Sequence, residues 1–578
     1  MNKVLKIVAL VCALMNLLSV GCNHAHTFDQ SVQSKEYLKS EATCKDKAQY
    51  YYSCSCGKAG EETFEVGSVG THAYVAEVVA EEYLKSKANC QSPAIYYKSC
   101  ESCGRKGYGT HVFSYGENGA CDYSLEIPEE RYLKLEATLE SGEVYYKSCV
   151  CGEHGAETFI YGEALRDYTE EEKLDYVPTS LTVSFYDAEN SVYGFTFNTS
   201  LKPLRPVIQI QKGSEWSNNY EEYLATVEKA SSYDKSNKEI SYFIAKAEIE
   251  LEENQTYTYR VYDKYVDIGT PISTLQTKSV HSEEFKFAHI SDTQNFPKYF
   301  GDVLNNVTGN VDFLLHSGDV VENSKYEEEW KEMLNGNFEY LSKVPMMAIS
   351  GNHETTYLNG SNETYKHFNY KLPTQTSTQK GLFYSFVYGN AKFIMLNTND
   401  LTSSKLKKEQ YDWLINELKN NEMVWTIVVM HNPIYSAGGY GSNPEKNTIA
   451  LALRSQLESI FANYGVDIVL QGHDHVVSRT CPIDAQGVAQ TEEWNNLNGV
   501  DYSVNPNGVI YLMNGTSGGQ TRAPFTTDTG VYQYALASNN RTWAEFNIDG
   551  TKMEIVVKYY NGSEVKEARR WGILKTNE

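Results

Sequence analysis

Five short apolar segments in the second half of the chain each end in a cluster of Asp, Asn or His, and this pattern constrains the fold most. The segments occupy residues 287–292, 313–319, 347–354, 427–433 and 468–475. Their Ile and Val content, closed by Gly, Asn or Asp, is typical of buried strands that end in turns. Core packing does not explain five groups of metal-binding side chains at strand ends. The pattern therefore indicates a metal centre held by rigid strands.

Helical patterns lie between these strand-like segments. Apolar residues recur at helical spacing within residues 325–341 and again within 406–418. Further strand-like runs occupy residues 508–515 and 553–559. This alternation predicts a layered α/β domain with buried sheets over residues 283–578.

Residues 178–279 show a different pattern, in which apolar and polar positions alternate and turns recur about every ten residues. This pattern predicts a small all-β sandwich of the immunoglobulin or fibronectin type. The segment contains no cluster of catalytic side chains, so we expect it to pack on the domain that follows. The acidic and polar residues 166–177 before it predict a linker.

The polar clusters of the catalytic region resemble a known family. The matching residues are Asp292, Gly318-Asp319, Gly351-Asn352-His353-Glu354, His431 and Gly472-His473-Asp474-His475. Their order, spacing and placement at strand ends resemble the five motifs of the calcineurin-like metallophosphoesterases. With a fibronectin-like domain directly before them, the nearest resemblance is to the purple acid phosphatase branch.

This resemblance implies a site for two metal ions, which would be iron, manganese or zinc. The implied ligands are Asp319 as the bridge, Asp292 and His475 on the first ion, and Asn352, His431 and His473 on the second. His353 would face the substrate, where it would stabilise the phosphoryl oxygens or protonate the leaving oxygen. A metal-activated hydroxide would attack phosphorus in line.

Two positions depart from the family pattern. Gln294 stands where many members have a His, and it would either bind metal weakly through its amide oxygen or hydrogen-bond a metal-bound water. Glu322 stands where purple acid phosphatases have an iron-binding Tyr. Without that phenolate we predict no purple colour, and the identity of the first metal stays open.

Residues 22–165 contain three repeats, in which Tyr-Leu-Lys recurs at Tyr37, Tyr83 and Tyr132. Alignment gives three sets of potential ligands: His26, Cys44, Cys54 and Cys56; His72, Cys90, Cys100 and Cys103; and Cys121, Cys149 and Cys151. One His and three Cys suit a tetrahedral zinc site within each of the first two repeats. The third would need another ligand, for which His154 is available. Disulfides, favoured in an oxidising compartment, and free thiols are the alternatives.

The N-terminus predicts export. Lys3 and Lys6 precede an apolar stretch over residues 7–20, as in a signal peptide over residues 1–21. Gly21-Cys22 then resembles a bacterial lipoprotein site in which Cys22 carries the lipid anchor. The repeats resemble spacer or attachment modules of exported proteins from gut-type Gram-positive bacteria. We therefore expect a secreted or cell-surface bacterial protein, anchored to the membrane by lipid only.

The net charge of −24 is spread along the chain and offers no basic patch for nucleic acid. The sequence thus predicts an exported phosphoric ester hydrolase acting on a phosphorylated small molecule, with its repeats contacting the cell envelope. Phosphomonoester hydrolysis is the preferred interpretation, because a fibronectin-like domain directly precedes the phosphoesterase motifs. A phosphodiesterase using the same site, an inactive surface binding protein, and a zinc-storing role for the repeats are the alternatives.

Overall fold

The computed structural model describes residues 25–135, 137, 141–164, 168–217, 219–355, 363–373, 383–438, 448–524, 530–537 and 541–576. The predicted signal peptide and Cys22 lie outside the described residues. The chain forms two compact units, one ending at Ala120 and one spanning Cys121–Thr576. The third repeat therefore belongs to the second unit. Within the described ranges, no helix combines the length and the apolar character that a membrane crossing needs.

The first unit consists of small antiparallel sheets built from the first two repeats. Its strands are Leu38–Ser40, Ala48–Ser53 and Ala59–Val66 in one sheet; Leu84–Ser86, Ala94–Tyr97 and Val112–Tyr115 in another; and the pair Tyr74–Ala76 with Ser99–Cys100. A 3-10 turn covers Glu81–Tyr83. Few side chains are fully enclosed, and Cys54 and Cys100 are among them at 2% exposure. Modules with so little core usually depend on cross-links for stability.

The second unit opens with the third repeat. It has a 3-10 turn and one sheet, over Glu130–Tyr132, Leu133–Leu135, Glu143–Ser148 and His154–Tyr161. The predicted linker contains a short helix, Glu170–Asp175, that starts with a capping box between Thr169 and Glu172.

A two-sheet β-sandwich follows, which fits the predicted fibronectin-like domain. One sheet contains Thr179–Asp187, Val192–Thr199, Glu239–Glu250 and Thr226–Tyr233; the other contains Glu221–Leu224, Pro206–Lys212, Thr256–Asp263, Ile268–Gly269 and Ser273–Gln276. The 3-10 turn Ala188–Asn190 joins the first two strands of the first sheet. Phe195 and Tyr259, one from each sheet, meet in the core with ring centroids 5.2 Å apart. Phe185 extends this core by contacting Phe313 of the C-terminal domain, with ring centroids 5.7 Å apart.

The C-terminal domain, to which we assign the predicted catalytic region, is a sandwich of two larger sheets with helices outside them. The first sheet has the order Met346–Ala348, Phe313–His316, Glu284–Ile290, Arg541–Asp549, Lys552–Tyr560, Val565–Leu574, Val500–Val504 and Trp494–Leu497. The second has the order Tyr384–Tyr388, Ala391–Leu396, Trp425–Met430, Ile468–Gln471, Ile510–Asn514, Val477–Thr480 and Tyr532–Leu536. A small hairpin pairs Leu401–Thr402 with Lys405–Leu406. Phe287 and Phe393 pack the two large sheets together, with centroids 5.3 Å apart.

The helices of this domain are Pro297–Val307, Glu327–Asn335, Phe338–Leu341, Asn352–Thr355, Lys408–Lys419 and Thr448–Asn463, with a 3-10 turn at Thr364–Lys366. The pattern over residues 325–341 predicted one helix, and the structure contains two. Asn337 leaves the helical region with φ −122°, and its side-chain amide donates to the carbonyl of Met333 at 2.9 Å. That bond occupies a helical acceptor and ends the first helix.

Candidate metal centre

The five polar clusters meet at the carboxyl ends of parallel strands in the two large sheets. Asp292, Asp319 and Asn352 follow the three neighbouring parallel strands of the first sheet. His431 and His473 follow two neighbouring parallel strands of the second sheet. The fold therefore concentrates side chains that lie up to 183 residues apart, between Asp292 and His475, into one site.

The backbone at this site is strained. Asp292, Gln294, Asp319, His473 and His475 all adopt left-handed conformations, with φ between 45° and 78°. Each such residue costs roughly 1–3 kcal/mol and persists only where its surroundings enforce the conformation. Five of them in one cluster indicate that side-chain placement takes precedence over local backbone preference.

Close backbone packing also requires glycine here. A Cβ at Gly351 would lie 2.0 Å from Asp319 Oδ1, and one at Gly318 would lie 2.6 Å from the Gly351 nitrogen. The two loops can approach each other only because neither position carries a side chain.

The ligand atoms predicted for the two ions face one another. Asp292 Oδ1 lies 3.2 Å from His475 Nε2, and Asp319 Oδ2 lies 3.2 Å from His431 Nε2. Asn352 Oδ1 lies 3.0 Å from His431 Nε2 and 2.8 Å from His473 Nδ1. Within the described residues, Asp319, His431 and His473 form one of the groups able to hold a metal ion.

Backbone carbonyls fix the orientation of the imidazoles. His431 Nδ1 donates to the carbonyl oxygen of Ser317 at 2.9 Å, and His475 Nδ1 donates to that of Gln520. A carbonyl can only accept, so Nδ1 carries a proton in each ring and Nε2 is the nitrogen that faces the centre. This is the usual arrangement around metal-binding histidines.

Neighbouring positive charge stabilises the ionised form of the buried carboxylates at this site. Burial alone lowers the pKa of His431, but the Asp319 carboxylate outweighs it and raises that pKa to about 9. Burial likewise raises the pKa of Asp292, yet the charge of His475 holds it below its usual range. Carboxylate and amide oxygens with imidazole nitrogens suit iron, manganese or zinc, so the residues present fit a two-metal centre.

Sequence reasoning gave Glu354 no role, yet its carboxylate supports the Asp319 loop. It accepts hydrogen bonds from the backbone N–H groups of Gly351 at 2.7 Å, Asp319 at 2.8 Å and Val321 at 3.2 Å. Burial and the Asp319 charge raise the pKa of Glu354 to about 7 in spite of these bonds. The sequence signal that could have indicated this role is the place of Glu354 in the Gly-Asn-His-Glu motif.

His353 lies beside the ligands and faces a cleft of about 840 Å³. Its Nε2 lies 3.8 Å from Asp319 Oδ2, and its Nδ1 donates to the Glu322 carbonyl at 2.5 Å. Burial lowers the pKa of His353, but Asp319 and Glu322 outweigh this and raise it. The imidazole is therefore suited to donate a proton to a bound anion.

The two positions that depart from the family pattern both contact His353. The side-chain amide of Gln294 lies 3.3 Å from His353 Nε2, and the Glu322 carboxylate lies 3.9 Å from its Nδ1. Two arginines that sequence reasoning did not select, Arg522 and Arg541, also line the cleft. Arg541 stacks on the Tyr299 ring, 3.4 Å from its centroid.

The structure groups the repeat cysteines differently from the alignment. In the first unit, His26, Cys54 and Cys56 form one cluster. A second cluster contains Cys44, His72, Cys100 and Cys103, so Cys44 takes the place that the alignment assigned to Cys90. The reason is spatial, because the turn that carries Cys44 lies against the second repeat. Cys90 is half-buried, and its carbonyl accepts a hydrogen bond from Asn118.

In the second unit, the sulphur atoms of Cys121, Cys149 and Cys151 lie within 4.8 Å of one another. His154, the additional ligand considered for this repeat, stacks on Tyr146 with centroids 4.3 Å apart.

Comparison with known proteins agrees with this geometry. Residues 285–477 match the family model of the calcineurin-like phosphoesterases. Purple acid phosphatase 15 of Arabidopsis thaliana is 25% identical over 264 residues, which are 44% of either chain. Probable inactive purple acid phosphatase 1 of the same plant is 26% identical over 223 residues, 36% of this chain and 35% of its own. The chain thus spans less than half the length of these curated relatives.

Among solved structures, the purple acid phosphatase PPD1 from seeds of yellow lupin (Lupinus luteus) superposes with a TM-score of 0.56. It is 18% identical, and the match covers 69% of this chain and 75% of that chain. At this identity the likeness shows a shared fold. The chain therefore carries a calcineurin-like phosphoesterase domain, with the fold and the sequence relatives of purple acid phosphatases.

Proposed function

We propose that this chain is a two-metal phosphoesterase that hydrolyses phosphoric monoesters. The observation that carries the proposal is the position of Asp319. Its carboxylate lies 3.2 Å from His431 Nε2 and 3.8 Å from His353 Nε2, so it touches both the ligand group and the substrate-facing histidine. A carboxylate shared in this way is what a two-metal phosphoesterase site requires.

Six residues would hold the ions, and we retain the assignment that the family resemblance implies. These are Asp292, Asp319 and His475 for the first ion, and Asp319, Asn352, His431 and His473 for the second. When bound, the ions supply Lewis-acid activation of water and neutralise charge on the phosphoryl oxygens. The mixed oxygen and nitrogen donors favour iron, manganese or zinc. With Glu322 in place of a Tyr, we expect a colourless protein.

We assign His353 the role of contacting the substrate. Its Nδ1–H is held by the Glu322 carbonyl, which directs Nε2 towards the cleft. A protonated Nε2 would donate to a phosphoryl oxygen or to the leaving oxygen. Arg522 and Arg541 line the same cleft and would meet the remaining anionic charge of the substrate.

Two other functions stay open for the same site. Phosphodiester hydrolysis uses the same ligand set, and the walls of the cleft would select between the two esters. A relative named as probably inactive, together with Gln294 at a position where many members have His, supports an inactive binding protein as the second candidate.

The test is hydrolysis of an aryl phosphomonoester and the matching diester by the full chain, with manganese, zinc or iron added in turn. We expect metal-dependent turnover that favours the monoester and is lost in Asp319→Asn. Asp302→Asn is the matched control, since Asp302 lies on helix Pro297–Val307, outside the ligand cluster. Preference for the diester would change the substrate class. Two bound ions without turnover would support the inactive binding protein.

We further propose that the chain is exported and tethered by lipid on Cys22, with its repeats contacting the cell envelope. The charged and apolar pattern of residues 1–22 supports this proposal. Mass spectrometry of the N-terminal peptide tests it, because a diacylglycerol adduct should begin the mature chain at Cys22. A Cys22→Ser chain should leave the membrane fraction, and unchanged fractionation would contradict the tether.

A further inference from the structure

We infer that the first unit binds a zinc ion between its first two repeats, through Cys44 of the first repeat and His72, Cys100 and Cys103 of the second. This site is independent of the phosphoesterase centre and shares no residue with it. The ion would cross-link the repeats, because neither repeat alone supplies all four ligands.

The four ligand atoms already lie close to tetrahedral spacing. Cys44 Sγ is 3.3 Å from Cys100 Sγ, and Cys103 Sγ is 3.4 Å from His72 Nδ1. All four atoms lie within 4.8 Å of one another. Zinc bonds of about 2.3 Å to sulphur and about 2.0 Å to nitrogen give edges of roughly 3.5–3.8 Å in a tetrahedron. The ion therefore fits with small movements of the side chains.

The backbone presents these ligands from ordered turns. Gly104, just after Cys103, has φ +75°, and its N–H donates to the Cys100 carbonyl at 2.8 Å. This turn folds the two thiols of the second repeat towards one point. Such a tight Cys-x-x-Cys turn is typical of structural zinc sites.

A separate backbone contact brings the Cys44 turn to the second repeat. The N–H of Gly70, two residues before His72, donates to the carbonyl of Thr43, next to Cys44, at 2.8 Å. The Cys44 turn is itself closed by Thr43, whose N–H donates to the Asp46 carbonyl at 2.7 Å. The juxtaposition of Cys44 and His72 thus follows from the chain path as well as from the side chains.

The sequence of the third repeat agrees with a ligand that serves the following repeat. Leu139 occupies the position that corresponds to Cys44. After this repeat the chain continues into the linker and the β-sandwich, so no later repeat could use a cysteine there. A ligand used within its own repeat would have no reason to be lost at this point.

A disulfide accounts for the cluster less well. An S–S bond of about 2.05 Å would join two of the thiols and leave the third thiol and the imidazole without a function. Zinc uses all four groups, and its binding displaces the thiol protons to solvent, so that three thiolates hold the ion with a neutral imidazole. No oxidant is needed for this step.

The test is residue-resolved alkylation of the zinc-loaded full chain with iodoacetamide, followed by peptide mass spectrometry. We expect Cys44, Cys100 and Cys103 to be protected and to become reactive together as a chelator is added. Cys481, which lies in the catalytic domain, serves as the internal reference. If Cys44 instead loses its protection together with Cys54 and Cys56, the metal lies within the first repeat and the inference is overturned.

Substitutions at Cys44 give the second arm. Cys44→Ser should expose Cys100 and Cys103 while Cys54 and Cys56 keep their reactivity, and Cys44→His, which retains a ligand, should restore protection. Thiols that react only after a reductant would indicate disulfides and contradict zinc. If Cys44→Ser unfolds the unit, alkylation of the wild-type chain during chelation still tests the inference. X-ray absorption at the zinc edge should show sulphur at about 2.3 Å, and its absence would exclude a thiolate site.

Discussion

Glu143 of the third repeat and Arg205 of the β-sandwich form a buried ion pair. The Arg205 guanidinium donates to Glu143 at 2.8 Å, and each side chain is only 4% exposed. The hydroxyls of Tyr145 and Tyr265 also bond the Glu143 carboxylate. This network attaches the third repeat to the domain that follows it.

Removal of one member of that pair should destabilise the second unit strongly. We expect Glu143→Ala to lower the free energy of unfolding by about 3–5 kcal/mol, because Arg205 would stay buried without its partner. Denaturant titration followed by fluorescence measures the change. Glu252→Ala is the control: its pair with Lys212 is exposed and should leave the midpoint nearly unchanged. Equal effects of the two substitutions would show that burial does not set the strength of the Glu143 pair.

Glu354 should control metal affinity without touching the substrate. Glu354→Gln keeps one acceptor oxygen and turns an amide N–H₂ either towards the Val321 N–H at Oε1 or towards the Gly351 and Asp319 N–H groups at Oε2. We expect metal affinity to fall by about 10–100-fold, as for other residues that orient metal ligands. Activity measured against added metal reports the shift. Exposed Glu339→Gln is the control, and an unchanged metal dependence in Glu354→Gln would refute the supporting role.

His353 should matter most for esters with poor leaving groups. If His353 protonates the leaving oxygen, His353→Ala should slow alkyl phosphate hydrolysis by about 10²–10⁴-fold. An aryl phosphate whose phenolate leaves readily should lose much less. The ratio of kcat values for the two substrates measures this difference. An equal loss on both would assign His353 to the phosphoryl oxygens instead.

The buried Glu327 should make stability depend on pH. Burial raises the pKa of Glu327 to about 7, against hydrogen bonding from Asn198 at 3.1 Å, and His367 Nε2 lies 3.6 Å away. The folded chain therefore binds this proton more tightly than the unfolded chain, in which the Glu pKa is about 4.5. The stabilising effect of protonation is complete below pH 4.5 and is lost as the pH rises towards 7.

Glu327→Gln cannot ionise, so its stability relative to the native chain should increase between pH 5 and pH 8, by about 2–3 kcal/mol. Unfolding by denaturant at several pH values measures the difference. Burial lowers the pKa of His367, which contributes in the opposite sense but is present in both proteins. A difference that stays flat with pH would mean that Glu327 is already ionised at pH 5 or protonated throughout.

The sequence indicated which side chains would lie together in the candidate site, because short motifs carry them. Asp319 and His431 are 112 residues apart, yet each ends a recognisable buried strand, and parallel strands bring their ends together. The role of Glu354 could not be predicted in this way, since it depends on three backbone N–H directions. The partner of Cys44 was predicted wrongly for a related reason. Alignment shows which positions of the repeats are equivalent, but it does not show which repeat lies beside Cys44. In the structure, the hydrogen bond from Gly70 to Thr43 brings the second repeat to that position.

The two large sheets contribute chemically different halves of the metal centre. Of the six residues assigned to the two ions, the oxygen ligands Asp292, Asp319 and Asn352 come from the first sheet. The imidazoles of His431, His473 and His475 come from the second. During synthesis the first sheet's ligand loops emerge well before those of the second. A nascent chain would thus offer only a weak oxygen site until the sandwich closes. Binding of metal by the complete ligand set would therefore follow closure of the sandwich, and a loaded centre would show that both sheets have folded.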